Sequence, residues 1–175
     1  MTEYFDSHCH LTDTAFRDDR EAVFRRAADA GVTRLVSIAS TLPDARDAVA
    51  LCSGREGVWC TAGVHPHEAD QARPEDVAEI RALAAEPASV VAVGETGLDF
   101  FYDNAPRDRQ RASFDRHLGL AAELNLPVVV HAREADDDVA AALRAMPAGT
   151  RGVLHCFTGG AQAFGEAMAV DWYVS

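Results

Sequence analysis

The chain has 175 residues, 48% apolar and 25% charged, enough for one unit with a real core and ordinary soluble composition. Its 28 acidic side chains against 16 basic ones leave a net charge of −12, which excludes an extended, non-specific grip on nucleic acid but permits a local cationic or metal-lined pocket for a phosphate. All 16 basic residues are arginine, so Schiff-base catalysis, a P-loop lysine and a carboxylated lysine bridging two metals are excluded too.

In chain order, strand 1 is predicted at Tyr4–His8, followed by a helix over Arg17–Ala30 with Val23, Ala27 and Ala30 on one face. Strand 2 is Arg34–Ala39. Thr41 with Asp44 reads as a capping box opening a helix that runs to Ser53. Strand 3 is Val58–Ala62, and Gly63-Val64-His65-Pro66-His67 follows it. A helix over Pro74–Glu86 turns Val77, Ile80 and Leu83 inward. Strand 4 is Val90–Gly94, running into Glu95; a loop through Asp99 and Tyr102 leads to a helix over Arg107–Leu124. Phe114, Leu118 and Ala121 mark its buried face, and Asn125 suits a left-handed stop. Strand 5 is Pro127–Val130, running into His131. A helix over Asp136–Met146, strand 6 at Gly152–His155, a helix over Gly160–Ala169 and a strand start at Trp172 complete the chain.

Strict alternation of helices with short, continuously apolar strands predicts a parallel sheet covered on both faces. The fold class expected is α/β, a (β/α)₈ TIM barrel, with residues 1–175 as one domain. A full barrel needs roughly 250 residues, so an incomplete barrel is expected, lacking its C-terminal strand or strands and helix. Such a barrel has two unpaired edges. The four cysteines form no C-x-x-C pair. The N-terminus does not read as a signal peptide, and no apolar run approaches the roughly 20 residues of a membrane span. A cytoplasmic protein with free thiols, no membrane association and no obligate protein partner is expected.

Barrels carry chemistry at the C-terminal ends of their strands. Five ligand-type residues fall at such ends: His8, His10, Glu95, His131 and His155. His8 and His10 lie two apart on an extended segment and face the same side. A buried carboxylate at Glu95 requires a metal or a charged partner, an arginine salt bridge being the competing role. Arg133 is a candidate phosphate contact, with an ion pair to Asp99 as its alternative. His65 and His67 are candidate substrate contacts, Asp6 a candidate orienter of a ligand histidine. Cys9 and Cys156 flank ligands and read as small buried side chains.

Asp6-Ser7-His8-Cys9-His10, Gly63-Val64-His65-Pro66-His67, Gly94-Glu95-Thr96-Gly97-Leu98-Asp99-Phe100, His131-Ala132-Arg133 and His155-Cys156-Phe157 resemble, in order, the signatures of the TatD family of metal-dependent hydrolases. The resemblance implies His8 and His10 on one metal, Glu95 as bridge, and His131 and His155 on a second metal. Glu95, His131 and His155 are then the expected catalytic group. It also implies an aspartate from strand 8, beyond Ser175, and hence tighter binding at the Glu95–His131–His155 side. Two divalent ions are expected, Mg²⁺ first, with Mn²⁺ or Zn²⁺ possible. DNA is the expected substrate, single-stranded or at its ends, cleaved by a metal-activated water. Two alternatives stay open: a hydrolase of another ester or amide, such as an aminoacyl ester, and a non-catalytic metal-binding fragment.

Overall fold

Each apolar run becomes a strand, and all seven strands pair in parallel in chain order, β1-β2-β3-β4-β5-β6-β7. The strands are β1 (Tyr4–Cys9), β2 (Val32–Ser37), β3 (Val58–Ala62), β4 (Val90–Asp99), β5 (Val128–Arg133), β6 (Gly152–His155) and β7 (Tyr173–Val174). Between them run α1 (Arg20–Asp29), α2 (Leu42–Cys52), α3 (Asp76–Ala85), α4 (Arg107–Leu124), α5 (Asp136–Ala145) and α6 (Ala161–Ala169). The computed structural model describes residues 2–85 and 89–175. The sheet curls strongly. β1 and β6 are far apart in strand order, yet the His8 ring at the end of one stacks on the His155 ring at the end of the other, 3.4 Å between centroids. Parallel strands curled inside a layer of helices form the wall of an incomplete (β/α)₈ barrel.

Local chemistry explains most boundaries. Asp13 caps a short 3-10 turn at Thr14–Phe16, so α1 starts at Arg20 rather than Arg17. The Thr41 hydroxyl accepts the Asp44 N–H (3.2 Å), and the Asp44 carboxylate reaches past Thr41 to the Ser40 N–H (2.7 Å). α4 ends on Asn125 in the left-handed conformation, φ 53°. The expected end of the third helix at Glu86 lies outside the described residues.

Two apolar clusters fill the space between sheet and helices. Phe114, Leu118 and Ala121 of α4 pack with Val93, Val128, Val130 and Leu154 of the sheet. Ala45, Ala48, Cys60 and Ile80 anchor the second cluster, and Leu124 and Leu126 touch both. α1 contributes least: it has no fully buried residue, and Val23 and Phe24 only partly pack.

β4 departs most from expectation. It continues five residues beyond Gly94 to Asp99, because Thr96–Asp99 pair with Val130–Arg133 of β5. Two glycines make this possible. Gly94 has φ +138° and Gly97 φ +132°, and a Cβ on Gly97 would lie 2.1 Å from the His131 carbonyl oxygen. The register slips between Val93 and Thr96, so Glu95 sits at an irregularity within a strand, not in a loop after one.

Candidate metal centre

Glu95 is only 3% exposed, at the centre of the mouth formed by the strand ends. Its backbone N–H donates to the Ala39 carbonyl beyond β2 (3.0 Å), which fixes it across the barrel. Imidazoles surround the carboxylate: His8 Nε2 at 3.3 Å, His131 Nδ1 at 3.3 Å and His65 Nε2 at 3.9 Å. Among the described residues no arginine pairs with it. His131 and His155 are direct cross-strand neighbours in the β5–β6 register.

The structure brings His8, Glu95, His131, His155 and His65 together. Donor atoms of His8, Glu95 and His155 lie within 4.8 Å of one another, as do those of His65, Glu95 and His131. His65 is thus closer to the carboxylate than a peripheral substrate contact would be. His8 groups with His155 rather than with His10, whose ring stands edge-on to His8 at 5.2 Å. His10 is anchored by Nδ1, 3.1 Å from the Ile38 carbonyl, so its Nε2 is left to face the mouth. Asp6 accepts the His8 backbone N–H (3.1 Å) and orients the strand end, not an imidazole.

Asp99 is fully buried at the end of β4 and organises the other side. Its Oδ2 lies 2.9 Å from both His131 Nε2 and His67 Nε2. Its Oδ1 accepts the backbone N–H groups of Phe101 (3.1 Å) and Tyr102 (2.8 Å). The Arg133–Asp99 ion pair, the alternative role for that arginine, is therefore absent among the described residues. Arg133 instead lies over the Phe101 ring, 4.9 Å from its centroid, on the wall of a neighbouring cavity. Cys156 is exposed, because the chain turns out of β6 there with φ +45°. Cys9 behaves as expected of a half-buried thiol: burial, then the charge of Asp6, push it up to about 12.

The electrostatics leave Glu95, Asp99, His65 and His155 in metal-binding form. Burial raises the Glu95 carboxyl, but hydrogen bonds from His131 and His8 outweigh it and hold the group well below the carboxylate range. Asp99 is held low in the same way, by the Tyr102 N–H and the two imidazoles acting against burial. Burial pushes His65 down to about 4, and burial with the neighbouring His8 lowers His155. Both rings are then neutral near pH 7, with lone pairs available. His131 is lowered by burial yet raised overall by its two carboxylate partners. If its Nε2–H donates to Asp99, its Nδ1 lone pair faces the Glu95 side, the arrangement in which an outer carboxylate fixes a ligand tautomer.

Two further residues support the mouth, and sequence reasoning missed both. Gln110, fully buried in α4, accepts the Asp99 N–H (2.7 Å) and donates to the Asp99 and Ala105 carbonyls (3.1 and 2.8 Å). His117, also in α4, accepts the Val64 N–H (3.1 Å) and so holds the chain just before His65. The sequence placed Asp99 in a loop and offered it to Arg133; the signal for its observed role is an aspartate before a tight aromatic turn, where the carboxylate caps N–H groups two and three residues on.

A parallel β/α barrel wall with a carboxylate ringed by imidazoles at its C-terminal mouth belongs to the barrel class whose strand ends carry a metal-type donor set. The sequence model of the TatD related DNases matches residues 5–175, and the chain belongs to that family. It is 43% identical over 157 residues to a Pantoea vagans protein named 3'-5' ssDNA/RNA exonuclease TatD, covering 89% of this chain and 60% of the relative. It is 36% identical over 172 residues to the Bacillus subtilis uncharacterized metal-dependent hydrolase YabD, covering 98% of this chain and 67% of that protein. Among solved structures, the TatD homolog YJJV of Escherichia coli superposes with a TM-score of 0.86 at 32% identity, over 98% of this chain and 66% of that one. The chain thus spans about three-fifths to two-thirds of the length of these relatives.

Proposed function

We propose that the protein acts as a divalent-metal-dependent phosphodiesterase that removes nucleotides from the 3' end of single-stranded DNA. The observation that carries this reading is Glu95: a buried, ionised carboxylate whose only titratable partners, among the described residues, are imidazoles. Burying such a group costs several kcal/mol unless an opposite charge offsets it. A cation does. The donor set fits one: imidazole nitrogens and carboxylate oxygens, without thiolate, suit Mg²⁺ first and Mn²⁺ or Zn²⁺ as substitutes.

In this reading His8, His10, Glu95, His131 and His155 would together hold two ions, with Glu95 able to serve both. Bound there, the ions would supply an activated water and positive charge for phosphoryl oxygens. The protein's own groups do the rest. Glu95 stays ionised, Asp99 and the Ile38 carbonyl orient the His131 and His10 rings, and His65 stays neutral. A cavity of about 660 Å³ over the cluster, lined also by Thr12, Ser40 and His67, has room for a terminal nucleotide. The net charge of −12 suits a strand end entering a pocket better than a duplex lying along a surface. The relatives named as single-strand exonucleases support the choice of substrate. A reducing cytoplasm suits the four unpaired thiols, and no helix among the described residues is long and apolar enough to cross a membrane.

The test offers 5'-labelled single-stranded DNA, RNA and an aminoacyl ester in parallel, with Mg²⁺ and with chelator. The expected result is a ladder shortening from the 3' end of the DNA, lost on chelation and in Glu95→Gln. Turnover of the ester with intact DNA would replace this reading with the alternative hydrolase. Calorimetric metal titration of His131→Ala and Glu95→Ala is expected to show weaker binding; unchanged affinity in both would remove the cluster as the metal site.

A further inference from the structure

We infer that Phe101, Tyr102 and Arg133 form a platform that stacks an unpaired nucleobase and holds its neighbouring phosphate beside the metal centre; this rests on the phosphodiesterase reading and adds how a single strand is selected. Phe101 and Tyr102 are 49% and 61% exposed, although they are large rings at the rim of the candidate site. They meet edge to face, 4.7 Å apart at 87°, and about half of each side chain stays open to solvent. Tyr102 stands edge-on to His67 at 5.6 Å, so the platform adjoins the histidine cluster.

The rings are held, not merely exposed. Both of their backbone N–H groups donate to one oxygen of buried Asp99, while the other oxygen receives His131 and His67. Buried Gln110 clamps the backbone on either side of that turn, at Asp99 and Ala105. The aromatic tip is therefore tied to the same carboxylate that orients the candidate ligand His131. Arg133 lies over Phe101 and, among the described residues, has no carboxylate partner. It also lines a neighbouring cavity of about 440 Å³.

These groups match the chemistry of a single strand. Every base has a π face, so stacking on aromatic rings ignores base identity. A guanidinium without an acid partner can take a phosphate bidentately. The protein's overall field repels a polyanion, so affinity must come from local contacts such as these. A paired base has both faces covered by its neighbours; only an unstacked strand can use the platform.

The test is fluorescence anisotropy in chelator, where nothing is cleaved, with labelled oligothymidylate, an abasic strand of the same length and a duplex. The double variant Phe101→Ala/Tyr102→Ala is expected to bind oligothymidylate about tenfold or more weaker, while its abasic-strand affinity stays within about twofold. Tyr102→Phe keeps the ring and is expected to bind like wild type; Arg133→Gln is expected to weaken both strands alike. Equal loss on thymidylate and abasic strands, or a lowered melting temperature accompanying the loss, would assign the rings to packing and overturn the platform. Wild type that cleaves DNA while the double variant binds undiminished refutes the platform and leaves the phosphodiesterase reading standing. Wild type that neither binds nor cleaves removes both.

Discussion

His117 links the acid stability of the fold to the placement of the mouth. Its ring is 3% exposed, with Nδ1 2.7 Å from the Ser113 carbonyl and Nε2 3.1 Å from the Val64 N–H. Only a neutral ring serves both partners, since Nδ1–H donates and Nε2 must accept. Burial pushes its pKa from 6.5 down to about 4, against the pull of the Ser113 carbonyl. The unfolded chain binds a proton as pH falls through 6.5, but the folded chain does not until about 4. Folding stability from this group is thus full above 6.5 and is lost as pH falls towards 4. The slope is about 1.4 kcal/mol per pH unit and the total about 3 kcal/mol. His117→Gln removes the titration. Near neutral pH the variant is expected to be less stable by about 1–3 kcal/mol, for an imperfectly paired buried N–H. Urea unfolding followed by tryptophan fluorescence, from neutral pH down to about 4, reads both proteins. Other buried groups titrate in both and cancel in the difference. The wild type's advantage should shrink by about 3 kcal/mol across the window and can change sign. Parallel stability curves would refute the reasoning.

Gly97→Ala puts a Cβ against the His131 carbonyl at φ +132°, so β4–β5 pairing should loosen, with a thermal midpoint several degrees lower, roughly 5–10 °C, and weaker metal binding. An unshifted midpoint would mean that the strands part easily there. Phe114→Ala empties a site that is 1% exposed and should cost about 3–5 kcal/mol in urea unfolding; a loss below about 1 kcal/mol would remove it from the core. β1 and β7 are each paired on one side only among the described residues, and Tyr4, Phe5 and Tyr173 stand exposed on them. Light scattering of this chain is expected to show association, and a monodisperse monomer would contradict it.

Much of the barrel could be read from residue pattern because its signals are local. β3 and β6 are unbroken apolar runs between turn residues, and α4 combines a 3.6-residue apolar stripe with an asparagine stop. The far half of β4 was illegible for the opposite reason. Glu95, Thr96 and Gly97 look like a loop, and only the neighbouring β5 backbone makes them a strand. The histidines could be placed at strand ends, but their grouping came only from the family resemblance, not from residue pattern. Whether His8 faces His10 or His155 depends on curvature summed over five intervening inter-strand steps. Arg133 shares alternation with His131, yet alternation says nothing of which cavity opens above the last residue of a strand. His117 falls on the apolar stripe, three residues after Phe114 and four before Ala121, but nothing in the pattern named the Val64 N–H as its partner.

The two oxygens of Asp99 answer to different masters, and this limits how the protein can be re-engineered. In most barrels a loop above a strand can be exchanged without disturbing the layer beneath it. Here residues 100–106 hang from Asp99 below and Gln110 behind. A graft that altered the spacing between those two anchors would tilt His131 as well as the rim. Library design should therefore randomise positions 103–104, hold both anchors constant, and keep loop length unchanged.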